Sequence, residues 1–511
     1  MPIYLLFSRK TYYAIIVLLL LLFASTLYHR ISHFDDAWFA EQSYRLLQDG
    51  IVRSELFRGY NFWHERLYVF HKVFVYVEAA LLSGLGFSVW AARATPLLFT
   101  GACLLLLLRY FKRQPEARWL AAVLYVGCGT VWLFGVDNRP ETMVAAFGFG
   151  SFLLLSRPSL STGRLVAAGI LAGLAGLTHL NGIIYVAAGT FWLLPRRGWW
   201  PAFWFGLAGT LTVSIYLLDG LQDNRLDLVL YQFRHDHVTQ ANFHWWSKLK
   251  VMADYHQLFL HSEGESFLTV LFLLMVLAAA RWRGARVLTP AMQYLLLLVG
   301  LFWLLTKSNN AYYYLLLVPF LIVTLVEITL TILPTLSRQQ RQLVVLAFCA
   351  YPLGSGMRAY YLVRENQTYP DTLVENARLA AHMPRQGAKV IAPIDFFFGQ
   401  VANYRVRGLT YYALLSANEY AGQLPLNTFF ALAAQDSVRY IVTDHRRWNQ
   451  AYYVPPGAPS QVGPYQRVFH DKWHSIYVRQ DSLPQAAAAR SAVALPHHFT
   501  SVRRSSVPTV R

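Results

Sequence analysis

Charged side chains are scarce in this sequence. Asp, Glu, Lys and Arg make up 14% of the 511 residues, and 55% are hydrophobic. A typical soluble domain carries about 25% charged residues, so the balance excludes an ordinary soluble globular chain. Cysteine is nearly absent. Cys103, Cys128 and Cys349 all lie in apolar segments, which excludes a disulfide framework or a thiolate metal site in an exported loop. An internal repeat is missing. So is a small-residue cleavage site near Tyr28, and the first apolar run therefore reads as an uncleaved helix behind a short basic start. Acidic residues are few, 27 against 45 Lys and Arg, for a net charge of +18. Much of that excess sits in short loops between apolar runs, where it sets orientation. It does not read as nucleic-acid binding.

What the chain does have is a series of apolar runs approaching twenty residues, the mark of a polytopic α-helical membrane protein. Basic clusters at 9–10, 109–118, 157–164, 196–197, 281–286 and 338–341 mark cytoplasmic loops. Alternation between them predicts about eleven transmembrane helices in residues 1–362, with the N-terminus cytoplasmic. The run 67–85 carries His71, Lys72 and Glu78, so it is laid along the outer leaflet rather than across it. Outer loops are expected at 29–88, 135–142 and, polar and long, at 219–265. Residues 363–483 read as a small extracytoplasmic α/β domain, with a helix near Pro370 and strand-like stretches at 389–394, 438–443, 466–469 and 475–479. Residues 484–511 read as a disordered tail.

The candidate functional residues gather at the outer ends of the helices. Asp35 and Asp36 follow directly on the run 12–28. Ala37, Ala40, Tyr44 and Leu47 then recur at helical spacing, and Gly50 is a natural stop. The pair is either an N-terminal cap or a functional site. Asp137-Asn-Arg-Pro-Glu141 places Arg139 between two acids at a membrane boundary, again either a structural pair or a used one. Asn61-Phe-Trp-His-Glu-Arg-Leu-Tyr68 offers His64, Glu65 and Arg66, and Lys307-Ser-Asn-Asn-Ala-Tyr-Tyr-Tyr314 offers a cation beside three tyrosines. His235, His237, His244, His256 and His261 give the long loop a weak metal-binding pattern, and His179 with Asn181 reads as a hydrogen-bonded helix break.

An acidic pair behind the first transmembrane helix, then a surface helix ending in Gly, resembles the GT-C glycosyltransferase superfamily. Within it the pattern is similar to the bacterial branch of glycosyltransferase family 39, akin to the protein O-mannosyltransferases and the aminoarabinose transferases of lipid A. The Arg-Pro-Glu segment and the late Lys-x-x-x-x-Tyr-Tyr segment fit that family. The 61–68 segment lacks the family's prolines.

The resemblance implies an inverting glycosyltransferase in the cell (inner) membrane. It would take sugar from a polyprenyl-phosphate-linked donor to a glycan, lipid or protein acceptor on the outer face. A transporter or flippase of lipid-linked glycans is the alternative; it calls for polar residues near mid-membrane and repeats. Such a transfer needs a carboxylate to take the acceptor's proton and cations to meet charge on the leaving phosphate. Asp35, Asp36, Asp137 and Glu141 are the expected catalytic acids. Arg139, Lys307, Arg66 and one or two of Tyr312, Tyr313 and Tyr314 would bind the phosphate. Glu65 and Asp36 are the expected ligands if a divalent metal, Mg²⁺ or Mn²⁺, is used.

Overall fold

The computed structural model describes residues 6–28, 30–235, 245–283, 288–306, 309–446 and 451–480. The expected tail at 484–511 and the histidines 237 and 244 lie outside the described residues. The chain opens with α1 (Arg9–Ser25), α2 (Phe34–Asp49), α3 (Lys72–Leu85) and α4 (Val89–Tyr110). α2 ends as its sequence predicts: Gly50 takes a left-handed φ of 70°, and its N–H donates to the Leu46 carbonyl at 3.1 Å.

The run 119–134 is two helices, α5 (Pro115–Val126) and α6 (Gly129–Phe134), broken at Gly127 and Cys128. A break inside an apolar core strands backbone carbonyls unless side chains reach them. Here Tyr351 donates its hydroxyl to Leu124 O at 2.6 Å, Ser355 to Gly127 O at 2.5 Å, and the Trp132 indole to Val126 O at 2.5 Å. α7 (Glu141–Leu155) and α8 (Thr162–Thr178) follow. α8 packs closely on the helix Trp199–Ser214, because Gly169 and Gly173 present bare backbone to Phe205 O and to Thr212, where a Cβ would collide.

Five helices among the described residues are long and apolar enough to cross a bilayer, and α7, α8 and Pro290–Leu305 are apolar but shorter. The helix Val318–Ile332 is buried almost all round and forms the axis of the bundle. The segment 219–265, expected as a polar loop, is largely helical, with helices Leu226–His235, Trp245–Ala253 and Tyr255–Leu260.

A six-stranded sheet closes the chain: β1 (Lys389–Ala392), β2 (Arg405–Gly408), β3 (Tyr440–Asp444), β4 (Gln461–Val462), β5 (Tyr465–His470) and β6 (His474–Arg479). Its order is β2-β1-β3-β6-β5-β4, with β2, β1 and β3 parallel and the rest antiparallel. Strand alternation sends Val390, Ala392, Tyr440, Val442 and Ile476 to one face, and Ile391, Ile441 and Tyr477 to the other. The second face is covered by Tyr412, Phe429 and Phe430. The first belongs to a core that also contains Phe57 and Trp63 of the first loop and Phe74 of α3. Backbone bonds tie the two regions: Gly408 N–H to Leu56 O at 2.9 Å, and Ser32 N–H to the Thr372 hydroxyl at 3.1 Å. The sheet domain is thus fixed over α2 and α3.

Candidate active site

α2 starts beneath this sheet domain with Asp35 and Asp36 in its first turn. Successive helical residues point about 100° apart, so the two carboxylates face different surroundings. Asp36 faces inward and is fully buried. It accepts the His33 N–H at 2.8 Å, the Asn138 N–H at 2.7 Å, and the Arg93 guanidinium at 2.6 and 3.3 Å. Burial alone would raise the Asp36 carboxyl; Arg93 overrides it and holds the group below the usual carboxylate range. The Asn138 side chain extends the network, donating to Asp36 O at 3.3 Å and to Glu78 at 2.5 Å, while Ser43 takes the other Glu78 oxygen at 2.5 Å.

Asp35 faces the opposite way and keeps 22% of its side chain exposed. It is ion-paired with Arg139, which also holds Glu141 at 3.0 and 3.2 Å. Glu141 is buried at the first position of α7, where the helix N-terminus favours an acid. The Arg139 guanidinium lies over the Tyr312 ring, its central carbon 3.5 Å from the ring centre. One cation is therefore shared among two carboxylates and an aromatic face. Burial, opposed by Arg139, pushes the Asp35 carboxyl above its ordinary range.

Two histidines complete the cluster. His71 precedes α3, and its ring stacks on His179 at the end of α8, 4.6 Å apart and 14° from parallel. His179 meets Tyr313 edge-on at 5.6 Å. Its Nδ1 accepts the Asn181 N–H at 3.0 Å, which confirms the expected helix-break role and leaves the proton on Nε2. Burial drives His179 down to about 3 and His71 well below its usual value, so both rings are neutral at neutral pH.

The structure thus brings Asp35, Arg139, Glu141, Tyr312 and Tyr313 together and leaves the other candidates elsewhere. Asp137 is clasped by Arg30 at 3.1 Å, and Arg30 also bonds the carbonyls of Trp132 and Leu133 at 2.8 Å. Tyr314 is buried, its hydroxyl 2.9 Å from that of Thr269. The three tyrosines lie on a 3₁₀ segment, Ala311–Leu316, whose threefold repeat sends them in three directions. Arg66 pairs with Asp223 at 3.2 Å. Lys307 lies outside the described residues.

Glu65 is exposed, with the His64 ring 3.9 Å away. With Asp36 saturated by donors, neither expected metal ligand is set up to hold an ion. Among the described residues the grouped metal-type ligands are Glu375, Asp471 and His474 in the sheet domain. There the Arg378 guanidinium already bridges the two carboxylates, so these residues do not fit a cation either.

Lys72 entered the sequence reading only as a polar residue of the run 67–85, not as a site residue. It sits one residue beyond His71 and pairs with Asp219 at 2.5 Å at one end of a mostly apolar groove of about 500 Å³. Val73, Tyr76, Val77 and Leu177 line the groove, so it runs along α3 and the end of α8, the same elements that carry the histidine stack.

No protein-family model and no curated protein sequence matches the chain. Solved structures do. The crystal structure of ArnT from Cupriavidus metallidurans in the apo state superposes at a TM-score of 0.59 and 14% identity, covering 92% of this chain and 98% of that one. ArnT bound to undecaprenyl phosphate gives the same score and identity over 93% and 99%. The apo oligosaccharyltransferase of Archaeoglobus fulgidus follows at 0.49 and 13% identity, over 86% and 70%. The likeness to ArnT runs over nearly the whole of both chains, and it shows that the two share a fold.

Proposed function

We propose that this chain is an inverting glycosyltransferase. It moves a sugar from a polyprenyl-phosphate-linked donor to a glycan, lipid or protein acceptor at the outer face of the cell (inner) membrane. In this reading the chain crosses about eleven times, with the N-terminus cytoplasmic and the sheet domain outside. The observation that carries the reading is the Asp35–Arg139–Glu141 cluster stacked on Tyr312, in a fold shared with a protein crystallised with undecaprenyl phosphate.

Asp35 is the carboxylate with solvent access and a raised proton affinity, so it takes the proton from the acceptor hydroxyl. That oxygen attacks the anomeric carbon as the bond to phosphate breaks, inverting the centre in one displacement. Negative charge grows on the departing phosphate, and Arg139 is the fixed cation beside it. Glu141 holds Arg139 in place through both of its oxygens. The groove behind the histidine stack suits a polyprenyl tail, with Lys72 at headgroup depth to meet the phosphate.

The test uses purified protein in liposomes, offered a panel of undecaprenyl-phosphate sugars. Wild type should release free undecaprenyl phosphate and build a glycosylated product, and Asp35→Asn should do neither. Translocation of an intact lipid-linked glycan without bond cleavage would make the chain a transporter.

A further inference from the structure

The helices Leu226–His235 and Trp245–Ala253 have no part in the chemistry above, yet they carry an unusual surface. Helix Leu226–His235 is closely held on its inner side. Its Gln232 amide accepts the Tyr68 N–H at 2.9 Å and donates to Arg66 O at 2.7 Å and Asn61 O at 3.2 Å. Val229 packs on Gly220. The other side exposes Leu226, Leu230 and Phe233, spaced four and three apart, so they form one stripe. Helix Trp245–Ala253 repeats the arrangement. Inside, Lys248 donates to Thr306 O at 2.5 Å, and the Trp303 indole donates to Lys248 O at 2.9 Å. Outside, Trp246, Leu249 and Met252 stand three apart and are all exposed.

At ten and nine residues these helices are about 15 Å long, half the hydrocarbon thickness of a bilayer. They cannot cross it. A water-facing surface would not keep six large apolar side chains in two ordered stripes. The preceding membrane span as a whole is Trp199–Gln222, and its exposed belt of Leu211, Ile215, Leu217, Leu218 and Leu221 runs straight into this region. Arg225, Arg234 and Lys250 are exposed beside the stripes, where lipid phosphates would meet them.

We infer that both helices lie in the plane of the membrane, their apolar stripes seated in the interface of the leaflet at which the preceding helix emerges. The occupant of this surface is the lipid bilayer itself. Because the first helix is bonded to residues 61–68, the membrane surface sets the height of that loop and, through Leu56 and Gly408, of the sheet domain above it. The inference needs only a membrane location, and it stands or falls independently of sugar transfer.

Site-directed spin labelling of the full chain in phospholipid nanodiscs tests it. Cys103 and Cys128 are buried, so only the exposed Cys349 has to be replaced by Ser. Labels at Leu230→Cys, Phe233→Cys, Leu249→Cys and Met252→Cys are compared with Leu211→Cys as a lipid-facing reference and Asp227→Cys as an aqueous one. The expected ratio of oxygen to nickel-chelate accessibility at the four sites is severalfold above that of residue 227 and close to that of 211. Nickel accessibility equal to residue 227 would overturn the inference. Shielding from both reagents would overturn it as well, because a protein partner would then cover the stripes.

Discussion

Asp35 and Asp36 are neighbours in sequence and opposites in environment. Asp36 is sealed, with Arg93 and two backbone N–H groups on its oxygens; Asp35 remains partly open and shares Arg139 with Glu141. The capping reading fits Asp36, and the functional reading, as proposed above, falls to Asp35 alone. Asp36 is third in the helix and accepts the N–H of His33, as a capping acid does, while Asp35 is the member that the proposed reaction uses. An acidic pair at a helix start can thus divide labour, with one member building the floor on which the other works.

The largest effect that would sharpen this comparison is on rate. Asp35→Asn should lower transfer by roughly 10²- to 10⁴-fold, as expected for loss of a general base, with the melting temperature little changed. A variant that keeps wild-type turnover would break the distinction. Asp36→Asn should do the reverse. Removing one partner of a buried ion pair costs about 3–5 kcal/mol, so denaturant unfolding should show a large loss of stability, while turnover per folded molecule stays near wild type. A stable but inactive Asp36→Asn protein would transfer the catalytic role to that residue.

A smaller effect is expected at the ring under Arg139. Tyr312→Leu removes a contact worth about 0.5–2 kcal/mol. The apparent KM for the lipid donor should rise severalfold, and Tyr312→Phe should restore it if the ring face is what matters. An effect on stability alone concerns Glu41, buried on α2 away from the cluster. It accepts from Ser54 at 2.5 Å and from the N–H groups of Glu55 and Leu56 at 2.7 and 3.0 Å. Burial outweighs these bonds and pushes its carboxyl from 4.5 up to about 7. The folded state therefore holds a proton that the unfolded chain releases. This contribution to stability is full below pH 4.5 and is lost as the pH rises to about 7. Melting curves across that window should fall with pH in wild type and flatten in Glu41→Gln.

Much of this was legible in the sequence, and the reasons are local. Apolar runs mark helices, Gly50 marks a stop, and four of the six strands lie in stretches of alternating β-formers. β2 was not visible because Arg405-Val-Arg-Gly408 is short, charged and at the sheet's edge, where packing on β1 rather than composition makes the strand. The helices within 219–265 were hidden by polar residues between their apolar stripes.

At the site, the grouping of Arg139 and Glu141 followed from their spacing in the Asp137–Glu141 segment. The division between the two aspartates did not, because it depends on Arg93, 57 residues away in another helix. His71 and His179 are 108 positions apart in the numbering, the first readable only as a polar residue of the run 67–85 and the second as part of a helix break; nothing local announces that their rings stack.

The bond between Ser32 and Thr372 spans 340 residues, and the shared core joins the first loop to strands still farther along the chain. At synthesis rates of about 5–20 residues per second, the ribosome needs roughly 17–70 s to deliver the later partner. Through that interval Phe57 and Trp63 have no sheet to pack on, though the helices around them are already made. The face that carries the candidate site is therefore the last part of this protein to mature. A nascent chain halted before residue 372 would be inserted and largely helical, yet would present an uncovered aromatic loop for quality control to recognise.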